Sequence, residues 1–177
     1  MSRATRVRNV GTFEDVGSAK AALIETGDVA VVVRGRPRWL LMRCPDGCGE
    51  DISVNLDQRA GKAWRLHDRG TLSVFPSIWR ESGCESHFVI WRNGIWWGYD
   101  WELESDSPEL ETQLIGLLAQ VGRPMDVLAI STQLDAESWT VLLVCNKLLR
   151  EKRINREGMP GAYVFSFDAE GHSKSGV

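Results

Sequence analysis

Four residues whose side chains bind metal ions form two short pairs in the sequence. Cys44 and Cys48 lie in RCPDGCGE, and Cys84 and His87 lie in GCESHF. A tetrahedral zinc ion takes thiolate and imidazole ligands from two tight turns, and the glycines and the proline beside these pairs favour such turns. The spacing therefore predicts a zinc site with Cys44, Cys48, Cys84 and His87 as ligands. The alternative is a core that buries three small cysteines and a hydrogen-bonded histidine without a metal ion.

The type of ligand indicates the role of the metal. A catalytic zinc ion keeps an open coordination position and prefers imidazole and carboxylate ligands, whereas a set rich in thiolates closes a structural site. With three cysteines in the set, we expect the zinc ion to be structural. In the catalytic alternative, Asp46, Glu50 or Asp51 would serve as a general base beside the metal.

Length, charge and hydropathy exclude several classes of protein. The chain has 177 residues and a net charge of -3, which argues against a broad electrostatic grip on nucleic acid. No apolar run reaches the roughly 18 residues that a membrane helix needs, and MSRATRVRNV lacks the apolar stretch of a signal peptide. We therefore expect a cytoplasmic protein whose cysteines bind metal rather than form disulfides, with Cys145 left over as a free thiol.

The first part of the chain, residues 1–103, is predicted to be a small antiparallel β domain held together by zinc. A basic arm (1–10) is expected to fray, and a short helix is expected within 13–26, before Gly27. Buried or alternating apolar runs predict a series of strands, and Asn93 and Gly94 predict a hairpin turn within FVIWRNGIWW. The predicted strands lie at 29–33, 39–43, 51–56, 64–67 and 71–75 and on both sides of that turn.

Tryptophan is unusually frequent on these predicted strands. Six of the eight tryptophans lie on them or, in the case of Trp79, in PSIW directly after the strand at 71–75, and a small domain uses such side chains to enlarge its core. We expect most of them to be core residues. One or two members of the cluster Trp96, Trp97, Tyr99 and Trp101 are expected to form an exposed docking surface.

The second part, residues 104–177, is predicted to hold three helices followed by a hairpin. Asp106 or Ser107 caps a helix from Pro108 to about Val121, and further helices are expected at 124–134 and after Asp135. RIN (153–155) and AYVFSF (162–167) predict the hairpin. This order resembles the winged helix-turn-helix superfamily, so the predicted fold class is α+β: a zinc-bound β domain followed by a winged helix.

The residues of the third predicted helix argue against DNA reading. With Val141, Val144, Cys145 and Leu148 facing the core, the outward positions hold Trp139, Leu142, Leu143 and Asn146 instead of basic side chains. From Ser105 onward there are seven basic and ten acidic residues, so the domain has no net positive field. We therefore expect this domain to bind a protein or to self-associate, and nucleic-acid binding is the least favoured alternative.

Three motifs in the first domain are similar to those of a bacterial family of unknown function. They are RCPDGCGEDISVNL, TLSVFPSIW and GCESHFVIW, and the similarity covers about Gly27 to Trp97. Many relatives carry a third cysteine where this chain has Asp46. Some members accompany genes for ubiquitin-like proteins and their conjugating enzymes in bacterial ubiquitination-like operons, and others are phage proteins. The resemblance implies work on a ubiquitin-like protein, its conjugates or its conjugating enzymes.

The family position of Ser77 in FPSIW suggests a serine nucleophile. Such a serine needs a base to accept its proton, and the chain has three histidines, of which His172 lies in a polar tail. If His87 binds the metal, His67 is the expected base, and if no metal is bound His87 takes that role. The alternative for Ser77 is a turn hydroxyl that bonds nearby backbone.

Two functional hypotheses follow from these residues. In the first, the protein is a serine-type, deubiquitinase-like hydrolase that uses Ser77 beside an aromatic channel built from Trp79 and Trp97. In the second, it is an adaptor that is stabilised by zinc and has no active site.

Overall fold

The computed structural model of the chain describes residues 3–98, 107–159 and 163–168. The chain divides into two units, Met1–Trp101 and Glu102–Val177. Both units combine helices with strands, so the fold is a mixed α and β fold. Four residues considered above lie outside the described residues: Tyr99, Trp101, Asp106 and His172.

Within the described residues, the first unit contains two four-stranded sheets. The strand orders are β1-β2-β3-β4 and β5-β6-β7-β8, and all pairs are antiparallel except the parallel pair β1 and β2. The elements are β1 (Arg8–Phe13), α1 (Val16–Ala21), β2 (Asp28–Val33), β3 (Pro37–Arg43), β4 (Asp51–Asn55), β5 (Arg65–Asp68), β6 (Leu72–Trp79), β7 (His87–Trp91) and β8 (Gly94–Trp97).

One apolar core joins the two sheets. It takes side chains from β2, β3 and β4 of one sheet and from β6, β7 and β8 of the other. Because side chains alternate between the faces of a strand, the buried Ile78 and Phe88 place Ser77, Trp79 and His87 on the opposite, outward face of their sheet. The core residues of the strands are Val29, Val31, Leu40, Met42, Ile52, Val54, Leu72, Val74, Ile78, Phe88, Ile90 and Ile95.

The prediction of a frayed basic arm is wrong for the described part of that arm. Thr5 accepts a hydrogen bond from Ile95 N, and Val7 N donates one to Asn93 O, so these residues cover the edge of β8. Arg8 then begins β1 and makes a two-pronged ion pair with the buried Asp28, at 2.7 and 2.9 Å. The sequence suggested a loose arm because its apolar residues are few, but backbone hydrogen bonds and this ion pair hold it.

The second unit contains helices α2, α3 and α4 and a three-stranded sheet of order β10-β11-β9. The predicted helix from Pro108 to Val121 is confirmed, and Gly122 ends it with a φ of 64°. The short strand β9 adds a third strand to the predicted hairpin. The elements are α2 (Pro108–Val121), β9 (Met125–Asp126), α3 (Val127–Gln133), α4 (Ser138–Arg150), β10 (Ile154–Glu157) and β11 (Val164–Phe167).

The prediction of an outward apolar face on α4 is wrong for two of its residues. Trp139 and Leu143 are buried, with exposed fractions of 6% and 7%, and Leu142 and Asn146 are half-buried. The helix packs against α2, α3 and β10, and these three neighbours bury side chains on more than one face of it. Exposed leucines therefore do not support self-association through this helix.

In the part of the chain that the structure describes, no helix combines the length and apolarity needed to cross a membrane.

Candidate functional site

Three cysteines lie on two loops that leave the strands of different sheets. Cys44 directly follows β3, and its N–H donates to Glu50 O at 2.8 Å, which closes the loop that also holds Cys48. The backbone of Gly47 in this loop has a φ of 85°, a conformation that glycine adopts without strain. Cys84 lies in the loop between β6 and β7.

The three sulfur atoms are close enough to bind one metal ion. All Sγ atoms of Cys44, Cys48 and Cys84 lie within 4.8 Å of one another, and the Sγ atoms of Cys44 and Cys84 are 3.6 Å apart. Thiolates on one tetrahedral ion with bonds of about 2.3 Å lie about 3.8 Å apart, so the spacing fits such an ion. Among the described residues, His87 is not part of this group.

A cation and a hydroxyl surround the sulfur atoms. Arg80 Nη1 donates to the Sγ atoms of Cys48 and Cys84, both at 3.4 Å, and its Nη2 pairs with the carboxylate of Glu50. Ser86 Oγ lies 3.3 Å from Cys84 Sγ and 3.8 Å from Cys44 Sγ. Each sulfur therefore has at least one polar neighbour besides the other sulfurs.

The two loops affect the pKa values of their thiols differently. Burial raises the pKa of the Cys44 thiol to about 11. Burial also acts to raise the pKa of Cys84, but hydrogen bonds with the side chain and backbone of Ser86 outweigh it and lower that pKa to about 7. Cys84 is thus the readier of the two to supply a thiolate.

Ser77 and His87 are brought together on neighbouring strands. Ser77 Oγ lies 3.0 Å from His87 Nε2, within the distance at which an imidazole accepts a hydroxyl proton. His87 pairs across the sheet with Trp79, whose ring centroid is 6.0 Å from that of the imidazole. A serine hydroxyl in direct contact with an imidazole is the arrangement that acyl transfer by a serine requires.

An irregularity in β6 allows this contact. Between Val74, which pairs with Ile90, and Ile78, which pairs with Phe88, β6 advances four residues while β7 advances two. Bulges of this kind turn side chains away from their regular direction, and they accommodate a proline, here Pro76, which has no N–H for the ladder. Trp64 Nε1 also donates to Ser77 O at 3.1 Å, which fixes the backbone at the serine.

His67, the expected base, lies elsewhere along the sheet. It is on β5 opposite Ser73, four residues before Ser77 in β6. The hydrogen bond that the structure shows for Ser77 Oγ is the one with His87 Nε2.

The acidic residues near the first cysteine pair are each paired with an arginine. Asp46 lies 2.6 Å from Arg3, and Asp51 lies 3.0 Å from Arg43. Glu50 pairs with Arg80 and holds the pKa of that guanidinium above its ordinary value. None of these three carboxylates belongs to the group of metal-ligating atoms found among the described residues.

The tryptophans near Ser77 divide between the two faces of their sheet. Trp97 packs against the buried Phe88, with ring centroids 5.4 Å apart, so it belongs to the inner layer. Trp79 is 63% exposed, and Trp96, which pairs with Val89 on the next strand, is 37% exposed. Trp79 and Trp96 therefore share the face of Ser77, whereas Trp97 does not.

Arg80 is a residue of the site that the sequence does not indicate. It lies between Ser77 and Cys84, but a single arginine in a loop is more often solvated than bound to thiols. Only the folded hairpin shows that its side chain, 16% exposed, turns back onto the sulfur atoms.

Residues 16–98 match the family model described as bacterial ubiquitination-like system serine protease (BubE). The matched segment contains Ser77, His87 and the three clustered cysteines, and it links this part of the chain to bacterial ubiquitination-like systems. Comparison with curated proteins and with solved structures gives no match.

Proposed function

We propose that the first unit is a serine hydrolase of a bacterial ubiquitination-like system, with Ser77 as the nucleophile and His87 as its base. The observation that carries this proposal is the 3.0 Å separation of Ser77 Oγ and His87 Nε2. The family match supports it, because its description names a serine protease and its range includes both residues.

The reaction follows from the roles of these two side chains. Ser77 Oγ forms a bond to the carbonyl carbon of the scissile amide or ester, and its proton moves to His87 Nε2. The imidazole must therefore carry its own proton on Nδ1 beforehand. As the bond from carbon to the leaving nitrogen or oxygen breaks, His87 returns the proton to that atom. Water then attacks the acyl-serine in the same way and restores Ser77.

This role changes the predicted metal site. An imidazole that accepts the serine proton through Nε2 is better used as a base than as a zinc ligand, and the sulfur atoms of Cys44, Cys48 and Cys84 already form a group without it. We assign zinc to these three thiols, because thiolate ligands suit that ion, and they would supply three of the four ligands of a structural site. When bound, it would join the two loops and stabilise the fold, without taking part in the reaction.

The family match and the outward face of the sheet support a ubiquitin-like substrate. A ubiquitin-like protein, its precursor or its conjugates would present an extended tail to Ser77, and the exposed indoles of Trp79 and Trp96 lie on the face from which the tail must approach. Exposed tryptophans at a binding site commonly contribute a large share of the affinity.

The second unit is assigned to partner recognition as a winged helix-turn-helix domain. Its three helices and the sheet β10-β11-β9 support this assignment. Its acidic balance favours a protein partner, such as the ubiquitin-like protein or a conjugating enzyme, over nucleic acid.

A cleavage assay tests the proposed function. The full chain is incubated with the cognate ubiquitin-like protein fused at its C-terminus to a reporter domain, beside the Ser77→Ala variant. We expect cleavage by the wild type and none by the variant, with equal zinc content in both. Equal cleavage by both proteins would refute Ser77 as nucleophile.

A non-catalytic adaptor is the second candidate, because the cysteine cluster would stabilise the first unit whether or not Ser77 reacts. Specific binding of the ubiquitin-like protein without cleavage of any fusion or conjugate would favour the adaptor.

A further inference from the structure

The cysteine cluster and the Ser77–His87 pair are connected by one hairpin. Arg80 lies three residues after Ser77 on the β6 side, and Cys84 lies three residues before His87 on the β7 side. Both loop residues take part in the cluster, since Arg80 donates to the sulfur of Cys84. The loop that is fixed by the cluster thus joins the two strands that carry the reacting pair.

We propose that Arg80 is a positioning residue. By holding the three-cysteine cluster together, its side chain fixes the loop between β6 and β7 and thereby the separation of Ser77 and His87. This inference rests on the proposed function. It assigns to Arg80 a part in holding the reacting pair, which neither the family match nor the sequence pattern indicates.

The contacts of Arg80 reach both loops of the cluster. One guanidinium nitrogen donates to Cys48 in the β3–β4 loop and to Cys84 in the β6–β7 loop, each at 3.4 Å. The other nitrogen pairs with Glu50, which precedes β4. The backbone N–H of Arg80 donates to Ser86 O at 3.0 Å, beside His87. The side chain of Arg80 therefore connects the hairpin of β6 and β7 to the β3–β4 loop of the other sheet.

Electrostatic attraction favours this arrangement. Three thiolates around a divalent ion leave one negative charge, so the guanidinium of Arg80 lies between two negative groups, the cluster and the carboxylate of Glu50. Donors to metal-bound sulfur orient the ligands, and losing them typically lowers metal affinity by about 10–100-fold. A lysine at this position keeps the charge but loses the planar fork that reaches Cys48, Cys84 and Glu50 together.

The reacting pair is sensitive to small shifts of the hairpin. Ser77 Oγ and His87 Nε2 lie on different strands, so a change in the loop between them alters their separation of 3.0 Å directly. A displacement of about 1 Å at a reacting group can reduce the rate by about 100-fold. Loosening the loop should therefore slow the reaction of Ser77 even though Arg80 contacts neither Ser77 nor substrate.

The test compares Arg80→Met and Arg80→Lys with Arg92→Met in the zinc-loaded full chain. Arg92 is an exposed arginine at the other end of β7, 4.7 Å from the Trp91 ring, and serves as the matched control. Zinc release to a chromogenic chelator measures the cluster, and the rate of labelling by a fluorophosphonate, which reacts with activated serines, measures the Ser77–His87 pair.

We expect Arg80→Met to release zinc about 10–100-fold faster than the wild type and to be labelled about 10–100-fold more slowly. Arg80→Lys should be intermediate in both rates and Arg92→Met unchanged. If Arg80→Met does not fold, the lysine variant decides the question alone.

Wild-type labelling in both Arg80 variants would overturn the inference, even if zinc release became faster, because the cluster would then not position the pair. Absence of labelling in the wild type would refute the proposed function instead. The zinc-release rates would still show whether Arg80 holds the cluster.

Discussion

Replacing His87 by Gln, with His67→Gln as the matched control, separates the two roles considered for His87. Glutamine is of similar size and can hydrogen-bond to Ser77, but it cannot accept the serine proton. A general base typically increases the rate by a factor of about 10²–10⁴. Because His87 Nε2 lies 3.0 Å from Ser77 Oγ, we expect the loss of this base to have an effect within that range. We therefore expect kcat/KM to fall about 10³-fold, equivalent to about 4 kcal/mol of transition-state stabilisation.

The control and a second measurement make this prediction specific. His67 pairs with Ser73, and the hydrogen bond of Ser77 Oγ is with His87, so His67→Gln should change kcat/KM less than about 3-fold, because a general base must lie within hydrogen-bond reach of the proton it accepts. Activity is measured by cleavage of the ubiquitin-like fusion, and zinc per chain by elemental analysis. Because the cysteines form the metal group without His87, the zinc content of His87→Gln should equal that of the wild type. An active His87→Gln protein that has lost its zinc would refute the reasoning and restore His87 as a ligand.

Other predictions concern the metal, the second unit and acid stability. The Cys44→Ser variant should lose its zinc, and its first unit should unfold at a lower temperature, whereas Cys145→Ala should keep its zinc. Elemental analysis measures the zinc content and calorimetry the unfolding temperature. A full zinc content in Cys44→Ser would contradict the prediction. Glu111→Ala breaks the 2.7 Å ion pair with Lys147 and should destabilise the second unit by about 1–2 kcal/mol in urea unfolding, so an unchanged midpoint would exclude a stabilising pair. Hydrogen bonding to Arg59 lowers the pKa of Asp57 from 3.8 to about 2, so its stabilisation is present above pH 4 and is lost as the pH falls towards 2. Thermal unfolding of Asp57→Asn should therefore differ from the wild type at neutral pH and converge with it in acid; a constant difference would contradict this.

The sequence was most informative where local rules decide the structure. Cysteines in glycine-containing turns predicted correctly that Cys44, Cys48 and Cys84 meet, because ligands for one ion must come from tight loops. The helix from Pro108 to Val121 was confirmed, because its proline, early acidic residues and final glycine are strong local boundaries.

The choice between the histidines depended on features that no local pattern contains. Cys84 lies in a loop, but His87 is the first residue of β7. Its imidazole therefore lies on the outward face of the sheet, beside Trp79, and not among the sulfur atoms. The irregularity that brings Ser77 to it arises from pairing between two strands. The same holds for Trp139 and Leu143, which are buried by neighbouring elements that the apolar pattern of α4 alone does not reveal.

The most direct test of the account is to locate the covalent adduct that a fluorophosphonate forms with the full chain, by mass spectrometry of its peptides. We predict a stoichiometric adduct on Ser77 in the wild type and almost none in His87→Gln, because the 3.0 Å contact activates the hydroxyl. An unmodified Ser77, or equal modification in the presence and absence of the His87 imidazole, would contradict the proposed catalytic pair.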